Sequence, residues 1–377
     1  MTSTFAGKHV TLSSAGGATR STVVGQPIAK GGEGEIFADA SRQDHVLKLY
    51  FQPGPARSPA NDAQRAVLVD KQAKIAAMLA NAPEARAQVS KPRGAEAPIV
   101  QIAWPQEMVL APDGSFLGFS MRRVDIAATT PLFSWRSALS RKQEGLDPRD
   151  DVRLYLLRNL AALVAYVNKV GHAVVDLKDV NVLAYRSGGH VALIDCDGFA
   201  IRDGARMIPA TAATPNLTAP EFQPGGDLVA HMDEEQDRFA LAVMIFEILS
   251  AGRHPAGGKA RPGRTVPDGT AQRIQQRLFH LGPDAALDPP NGTLAPYLPD
   301  ATLALFERAF LAAPTDRPTA AAWRDHLDAL IAGLKTPTAD FPMRRCPTCQ
   351  GIDYGKGCPK CAKQPQEEEE PLQRTFG

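Results

Sequence analysis

Four polar side chains in the middle of the sequence have the types and spacing needed to handle a phosphoryl group. Asp176, Lys178 and Asn181 lie within one short segment, and Asp195 follows an apolar run further along. Phosphoryl transfer passes through a loose transition state. A protein therefore contributes metal ligands, a carboxylate that orients the acceptor hydroxyl and a cation on the moving phosphate. These four residues would supply all three contributions.

A glycine-rich turn and a lysine near the N-terminus suggest a phosphate-binding element. Gly31, Gly32 and Gly34 lie between two short runs with strand character, and Lys48 follows within the next apolar run. Bare backbone N–H groups in such a turn can approach phosphates, although ordinary hairpin turns have similar sequences. Lys48 by itself is either a solvated edge lysine or a phosphate ligand. The glycine turn at this distance favours the phosphate ligand.

In order and spacing these motifs resemble the eukaryotic-type Ser/Thr protein kinase family, in a divergent bacterial form, over about residues 22–333. The resemblance implies that Lys48 and the glycine turn hold the phosphates of ATP. It implies that Asn181 and Asp195 bind Mg²⁺ or Mn²⁺. Asp176 would orient the acceptor hydroxyl and Lys178 would steady the transferring group.

Later landmarks extend the resemblance. An Ala-Pro-Glu segment ending at Glu221 matches the end of the activation segment, and Asp237 matches the start of the central helix. Arg317 matches the late arginine that pairs with Glu221 in this family. Lys178 and Thr214 together resemble the Ser/Thr kinases, in which the threonine hydroxyl bridges the catalytic aspartate and lysine. The resemblance therefore implies serine and threonine acceptors.

Three departures from the family pattern limit which properties of the family can be expected of this chain. Val175 stands where the family has the arginine that binds activation-loop phosphate, so control by loop phosphorylation is not expected. The metal motif reads Asp-Cys-Asp at 195–197, and Cys196 is predicted to be a buried core residue. The predicted helix over 62–79 has no glutamate to pair with Lys48. Asp70 and Gln72 are the candidates, unless phosphates alone hold the lysine.

The remaining cysteines form two C-x-x-C pairs, which are Cys346, Cys349, Cys358 and Cys361. Four thiolates at this spacing suit one tetrahedral zinc ion in a closed, structural site. Disulfides and a rubredoxin-like iron are the alternatives, and zinc is favoured because nothing indicates an oxidising compartment. We expect the resulting zinc ribbon to recruit a protein partner, and we expect loss of the metal to disorder only this module.

Composition narrows the class of protein. The 377 residues carry a formal net charge of +1, which gives no reason to expect nucleic acid or a membrane surface as a partner. No apolar run reaches the length needed to cross a bilayer, and the N-terminus lacks a signal pattern. A cytoplasmic protein is predicted.

The elements that must position these residues predict an α+β, two-lobed, protein-kinase-like fold. A small antiparallel β lobe with one helix, residues 22–124, precedes a larger helical lobe, residues 125–333. Long helices are predicted over 151–170, 237–250, 301–311 and 319–334. Residues 1–21 are predicted as a flexible leader or a weak extra strand, 334–345 as a linker, 346–361 as the zinc ribbon and 362–377 as an acidic disordered tail.

The sequence thus predicts an ATP- and magnesium-dependent Ser/Thr protein kinase. One alternative is a pseudokinase-like, nucleotide-binding scaffold or signalling interaction module, which the missing helix glutamate favours. A small-molecule kinase is a second alternative, against which the Ala-Pro-Glu segment and Thr214 argue. The resemblance implies a protein substrate, and it suggests a phosphatase or a von Willebrand A-type protein as a partner.

Overall fold

A computed structural model describes residues 5–54, 58–92, 97–223 and 226–363 of the protein. The strands are β1 His9–Ser13, β2 Thr19–Lys30, β3 Gly34–Asp39, β4 His45–Tyr50, β5 Val89–Ser90, β6 Ile99–Val100, β7 Pro105–Leu110, β8 Phe116–Arg122, β9 Thr129–Pro131, β10 Val182–Tyr185, β11 Val191–Leu193, β12 Ile201–Asp203, β13 Arg206–Ile208, β14 Lys259–Ala260, β15 Leu287–Asp288, β16 Arg344–Arg345 and β17 Ile352–Asp353. The α-helices are α1 Pro59–Ala80, α2 Ala85–Gln88, α3 Ala138–Gln143, α4 Asp151–Lys169, α5 Glu234–Leu249, α6 Thr270–Gln275, α7 Asp300–Leu311, α8 Ala320–Gly333 and α9 Pro359–Lys363. Short 3-10 helices lie at Leu132–Trp135, Cys196–Gly198, Pro215–Leu217, Pro220–Phe222, Gly226–His231, Ala295–Tyr297 and Pro314–Asp316.

The chain divides into two compact units. The β unit comprises Met1–Ala127, Tyr166–Val175 and Ala192–Ala212, and the helical unit comprises Ala128–Ala165, Asp176–Val191 and Ala213–Gly377. The first segment of the β unit ends at Ala127, but this unit also includes Tyr166–Val175 and Ala192–Ala212, which the sequence prediction assigned to the helical lobe.

The β unit is built on a six-stranded antiparallel sheet in the order β1-β2-β3-β4-β8-β7. The sheet closes on itself because β1 pairs with β2 on one side and with β7 on the other. Its interior is apolar, with Val10, Leu12, Val24, Phe37, Leu47, Leu49, Val109 and Leu117 in one buried cluster. Closure removes the unpaired edges that an open sheet of this size would leave.

The expectation of a flexible leader over residues 1–21 is wrong from His9 onward. The second alternative, an extra strand, is what the structure has, because the alternation from His9 to Ser13 turns Val10 and Leu12 into the sheet interior. Burying two apolar side chains and pairing with two strands offsets the loss of chain entropy. β2 also begins earlier than predicted, at Thr19.

Helix α1 matches the predicted helix over 62–79 and begins three residues earlier. Ser58 caps its N-terminus by accepting from the backbone N–H of Asn61 at 3.2 Å, and proline follows at the first helical position. Near its other end, the indole N–H of Trp104 donates to the carbonyl oxygen of Met78 at 2.9 Å. These contacts fix the helix within the β unit.

The helical unit confirms the four long helices that periodicity predicted. α5 is buried along nearly its whole length, so it forms the centre of this unit. Phe306 of α7 lies 4.9 Å, between ring centroids, from Phe246 of α5 and the same distance from Trp323 of α8. These edge and tilted ring contacts join three helices around one aromatic core.

The segment over 334–345, predicted as a linker, is packed against the helical unit. Met343 is fully buried, and the ring of Phe341 lies 5.4 Å from that of His326 on α8. The cysteine module begins at β16, which pairs with β17, and ends in α9. The predicted acidic tail lies outside the described residues from 364 onward. Among the helices of the described ranges, none combines the length and apolar character required to cross a membrane.

Candidate active site

Lys48 lies in the middle of the closed sheet, between β3 and β8. Its backbone pairs with Ile36 and Phe119, and its neighbours Leu47 and Leu49 are fully buried. β8 approaches closely here, since a Cβ on Gly118 would lie 2.0 Å from the carbonyl oxygen of Lys48. Only glycine fits that position, so β4 is held firmly from one side.

The Lys48 ammonium is bound by two carboxylates of the Asp-Cys-Asp segment. Its Nζ lies 2.5 Å from Asp195 Oδ1, and 2.6 and 2.8 Å from the two oxygens of Asp197. Burial opposes the charge on Lys48, but Asp197 and Asp195 outweigh burial and raise the pKa of the lysine. The structure thus joins two residues that the sequence assigned to one site, Lys48 and Asp195.

Asp197 is the residue that sequence reasoning missed. It is 6% exposed, and it accepts a hydrogen bond from the Tyr50 hydroxyl at 2.7 Å as well as those from Lys48. Burial alone would raise its pKa, but Lys48 and Tyr50 lower it, so the carboxylate stays charged. The signal available in the sequence was a second acid two residues after Asp195.

Of the alternatives for Lys48, the structure favours neither Asp70 nor Gln72, because Asp195 and Asp197 bind its ammonium and both candidate side chains are exposed on α1. Two lysines of α1 contact other parts of the β unit instead. Lys71 bonds to Glu33 at 2.8 Å and lies 4.6 Å from the centre of the Tyr50 ring. Lys74 is buried, donates to the carbonyl oxygen of Pro209 at 2.9 Å, and has a pKa lowered to about 8, chiefly by burial.

The three glycines of the predicted phosphate turn play different parts. The Gly31 N–H donates to the Gly34 carbonyl oxygen at 2.9 Å, which closes the turn between β2 and β3. A Cβ on Gly34 would lie 2.2 Å from the Leu49 carbonyl oxygen, so sheet packing requires glycine there. A Cβ on Gly32 would meet nothing within 4 Å. Gly31 and Gly32 therefore leave an open turn, as a phosphate would need.

In the helical unit, the structure gathers the residues of the predicted catalytic loop around Asp176. Lys178 Nζ donates to one carboxylate oxygen of Asp176 and the Thr214 hydroxyl donates to the other, each at 2.6 Å. The Asn181 amide donates to the Asp176 backbone carbonyl at 3.1 Å. The bridging threonine that the family resemblance implied is present in this geometry.

A set of ion pairs supports this loop. Arg317, whose side chain is fully buried, makes a two-pronged contact with Glu221 at 2.5 and 2.7 Å. Arg136 contacts Asp179 of the loop and Glu247 of α5, the latter at 2.6 Å. The pair between Arg317 and Glu221 was predicted, whereas no sequence signal indicated the contacts of Arg136.

The backbone at Val175, just before Asp176, has φ of +61°. A β-branched residue rarely adopts this left-handed conformation, and such strain costs roughly 1–3 kcal/mol and persists only where the surroundings enforce it. Asp195 has a similar φ of +59°, which aspartate tolerates more easily. Cys196 is fully buried, as predicted, and burial raises the pKa of its thiol.

The four C-terminal cysteines meet in one cluster. Their sulfur atoms all lie within 4.8 Å of one another, with Cys346 Sγ 3.7 Å from Cys361 Sγ and Cys349 Sγ 3.4 Å from Cys358 Sγ. Tetrahedral zinc with Zn–S bonds of about 2.3 Å places sulfurs about 3.8 Å apart. The cluster therefore has the donor atoms and the dimensions of a four-thiolate metal site.

Two curated proteins are similar to this chain in sequence. The chain is 30% identical over 357 residues to the protein named protein kinase YegI of Escherichia coli K12, a match covering 88% of this chain and 50% of that protein. The counterpart from Escherichia coli O157:H7 is also 30% identical, over 354 residues, 88% of this chain and 49% of its own. The chain spans about half the length of these curated relatives. No family model matches.

Solved structures show the fold. A ROP18 kinase domain in complex with AMP-PNP and sucrose superposes with a TM-score of 0.53 at 17% identity, covering 86% of this chain and 85% of that one. The kinase domain of a rhoptry antigen from Toxoplasma gondii gives 0.51 at 16% identity, covering 87% and 88%. The predicted protein-kinase-like fold is confirmed.

Proposed function

We propose that this chain, a member of the protein-kinase family by its fold and its sequence relatives, transfers the γ-phosphoryl group of ATP to a serine or threonine hydroxyl of a protein. The observation that carries the proposal is the arrangement around Asp176. One of its carboxylate oxygens is bound by the Lys178 ammonium and the other by the Thr214 hydroxyl. A carboxylate fixed at both oxygens has a defined direction, as the residue that orients an acceptor hydroxyl requires.

The other site residues take the roles that the family implies. Lys48 and the open turn at Gly31 and Gly32 would bind the phosphates of ATP. Asn181 and Asp195 would hold Mg²⁺ or Mn²⁺, and the Asp195 side chain is 54% exposed, which suits a ligand of a diffusible ion. A bound metal would neutralise phosphate charge during transfer.

The test is transfer of labelled phosphate from ATP, with magnesium, to a panel of candidate proteins, followed by identification of the phosphorylated amino acid. We expect phosphoserine or phosphothreonine, and loss of label when Asp176 is changed to Asn. Asp328→Asn, on an exposed face of α8, is the matched control and should behave as the parent protein. Label found on tyrosine or on small molecules would contradict the proposal.

A nucleotide-binding scaffold without transfer is the second candidate. The observation that favours it is that the carboxylates bound to Lys48 belong to Asp195 and Asp197 and not to α1. Binding of Mg·ATP at micromolar affinity with no transfer to any protein in the panel would select this alternative.

For the cysteine cluster, we propose zinc, in the reducing cytoplasm where thiolates remain available as ligands. Recruitment of a protein partner, with a phosphatase or a von Willebrand A-type protein as the kind suggested by the family, would use the exposed Pro347, Thr348 and Gln350. A pull-down from the native host with the parent chain and a Thr348→Arg variant tests this. Equal capture by both would contradict recruitment through this face.

A further inference from the structure

We infer that Asp197, held by Tyr50, is the carboxylate that positions Lys48. In the family pattern this role belongs to an acid on the helix, whereas here α1 carries lysines. This inference rests on the proposed function. It assigns a role to a buried acid outside the motif residues, and it accounts for the absence of an acid on the inward side of α1.

The contacts distinguish the roles of Asp195 and Asp197. Both oxygens of Asp197 lie within hydrogen-bond distance of Lys48 Nζ, at 2.6 and 2.8 Å, and one also accepts from the Tyr50 hydroxyl at 2.7 Å. Asp197 is buried, whereas more than half of the Asp195 side chain is exposed. The buried acid is thus fixed on the lysine, and the exposed acid is the one that can turn to a metal ion.

The carboxylates that contact Lys48 and Lys71 are those of Asp195, Asp197 and Glu33, none of which lies on α1. Lys48, Lys71 and Lys74 bring three ammonium groups, and Asp195, Asp197 and Glu33 bring three carboxylates. Lys71 is bound to Glu33, and Lys74 is buried with a single carbonyl partner shown at Pro209. Relative to the family pattern, the acid that binds Lys48 lies at 197 and not on the helix, and α1 carries a buried lysine at 74.

The position of Asp197 determines whether movement of α1 can regulate Lys48. Asp197 lies on the same 3-10 turn as Asp195, so the direction of Lys48 is set by that turn and by Tyr50 on its own strand. In the family pattern the partner acid is on a helix that can move. Here a displacement of α1 would not by itself release Lys48 from Asp197, so the direction of the lysine does not depend on a helix switch.

The experiment measures kcat/KM for ATP and the affinity for Mg·ATP in the full chain. Asp197→Asn, which keeps shape but loses charge, should lower kcat/KM for ATP about 100-fold. The double variant Asp197→Asn with Lys74→Glu returns a carboxylate to α1 and should recover at least 10-fold of that loss. Asp70→Asn, an exposed acid on the same helix, is the control and should stay within 2-fold of the parent.

A positioning role also predicts non-additivity. In a Lys48→Met background, Asp197→Asn should cause no further loss of Mg·ATP affinity, because Asp197 acts through the lysine. If Asp197→Asn alone does not fold, Tyr50→Phe replaces it, with an expected loss of about 5-fold that vanishes in the Lys48→Met background. An unchanged kcat/KM in the single variant, or additive losses, overturns the inference. Absence of transfer by the parent protein would instead overturn the proposed function.

Discussion

The Lys360 ammonium lies 3.0 Å from the carboxylate of Asp150, which joins the cysteine module to the residue just before α4. Asp150 is buried and is also bound by Arg141 at 2.8 Å and by Arg153 at 3.2 Å. Burial opposes its ionisation, but these three cations lower its pKa. The cysteine module is therefore part of the charge network that holds α3 and α4 together.

Removal of the metal should destabilise more than the module itself. Chelation is expected to lower the unfolding midpoint of the chain by about 5 °C or more, because Tyr354 of the module is buried and Lys360 would leave Asp150. Hydrogen exchange should show lost protection over α3 and the start of α4. Loss of protection confined to residues 344–363 would restore the simpler expectation that the module folds independently.

Elemental analysis should find one zinc per chain. Lys360→Met keeps all four thiolates, so it is the control that separates metal binding from docking. It should retain zinc and still lower the unfolding midpoint, since one of the three cations bound to the buried Asp150 is lost. A variant that loses zinc would show that Lys360 acts on the metal site itself.

Asp176→Asn and Asp195→Asn should each abolish transfer but differ in nucleotide binding. The first loses the carboxylate that Lys178 and Thr214 hold, so Mg·ATP affinity should remain near that of the parent. The second loses metal-binding charge, so magnesium-dependent affinity should fall at least 10-fold. Isothermal titration with and without magnesium measures this difference, and transfer at the parent rate in either variant would refute the assignment.

Local signals in the sequence predicted the helices and the motif residues, because apolar period and loop spacing are properties of short segments. They did not predict that Asp197 binds Lys48, since 149 positions separate the two residues and only the folded sheet brings them together. The extra strand at His9 was underestimated because five residues carry too little pattern. The contact between Lys360 and Asp150 could not be predicted either, because in the sequence both residues resemble ordinary surface charges.

Thr214 should matter through its hydroxyl. Thr214→Val removes the hydrogen bond to Asp176 and should reduce kcat about 10-fold or more, whereas Thr214→Ser keeps the donor and should stay within about 3-fold. KM for ATP should change little in both. Equal rates for the valine and serine variants would show that the hydroxyl does not orient Asp176.

His172 should resist protonation. The Arg202 backbone N–H donates to its Nδ1 at 3.0 Å, so the proton is on Nε2, which donates to the Asn81 carbonyl at 3.0 Å. Burial lowers the pKa of His172 below its usual value near 6.5. The unfolded chain then binds a proton that the folded ring does not. The contribution of His172 to the free energy of unfolding should therefore be complete above about pH 6.5 and decrease as the pH falls toward the lowered pKa.

Ring ¹⁵N shifts measured between pH 7 and pH 5 check this directly, and the ring should titrate at a lower pH than an exposed histidine. His172→Phe keeps an aromatic ring against Trp104, since the ring centroids of His172 and Trp104 lie 5.2 Å apart. In this variant the free energy of unfolding should decrease less between pH 7 and pH 5 than in the parent. An imidazolium signal from His172 already at pH 6.5 would contradict the assignment.

The last prediction concerns Thr211, the activation-segment residue best placed for modification. It is exposed and lines a cavity of about 640 Å³ together with Lys71, Lys74 and Arg206. A phosphate there would meet cations that already have partners, since Lys71 binds Glu33, Lys74 binds the Pro209 carbonyl and Arg206 lies 3.2 Å from Asp203. Because Val175 is apolar and buried, the arginine that would complete a phosphate pocket is also missing.

Thr211→Ala should therefore leave transfer to an external protein within a few-fold of the parent, even where mass spectrometry finds Thr211 phosphorylated. Activity is then independent of loop phosphorylation, as expected for a lysine positioned by its own strand and turn. A drop of about 100-fold that Thr211→Glu restores would show that the cavity cations exchange their partners for the phosphate. In that case Arg206→Ala should abolish the rescue, because Arg206 is the most exposed of the three.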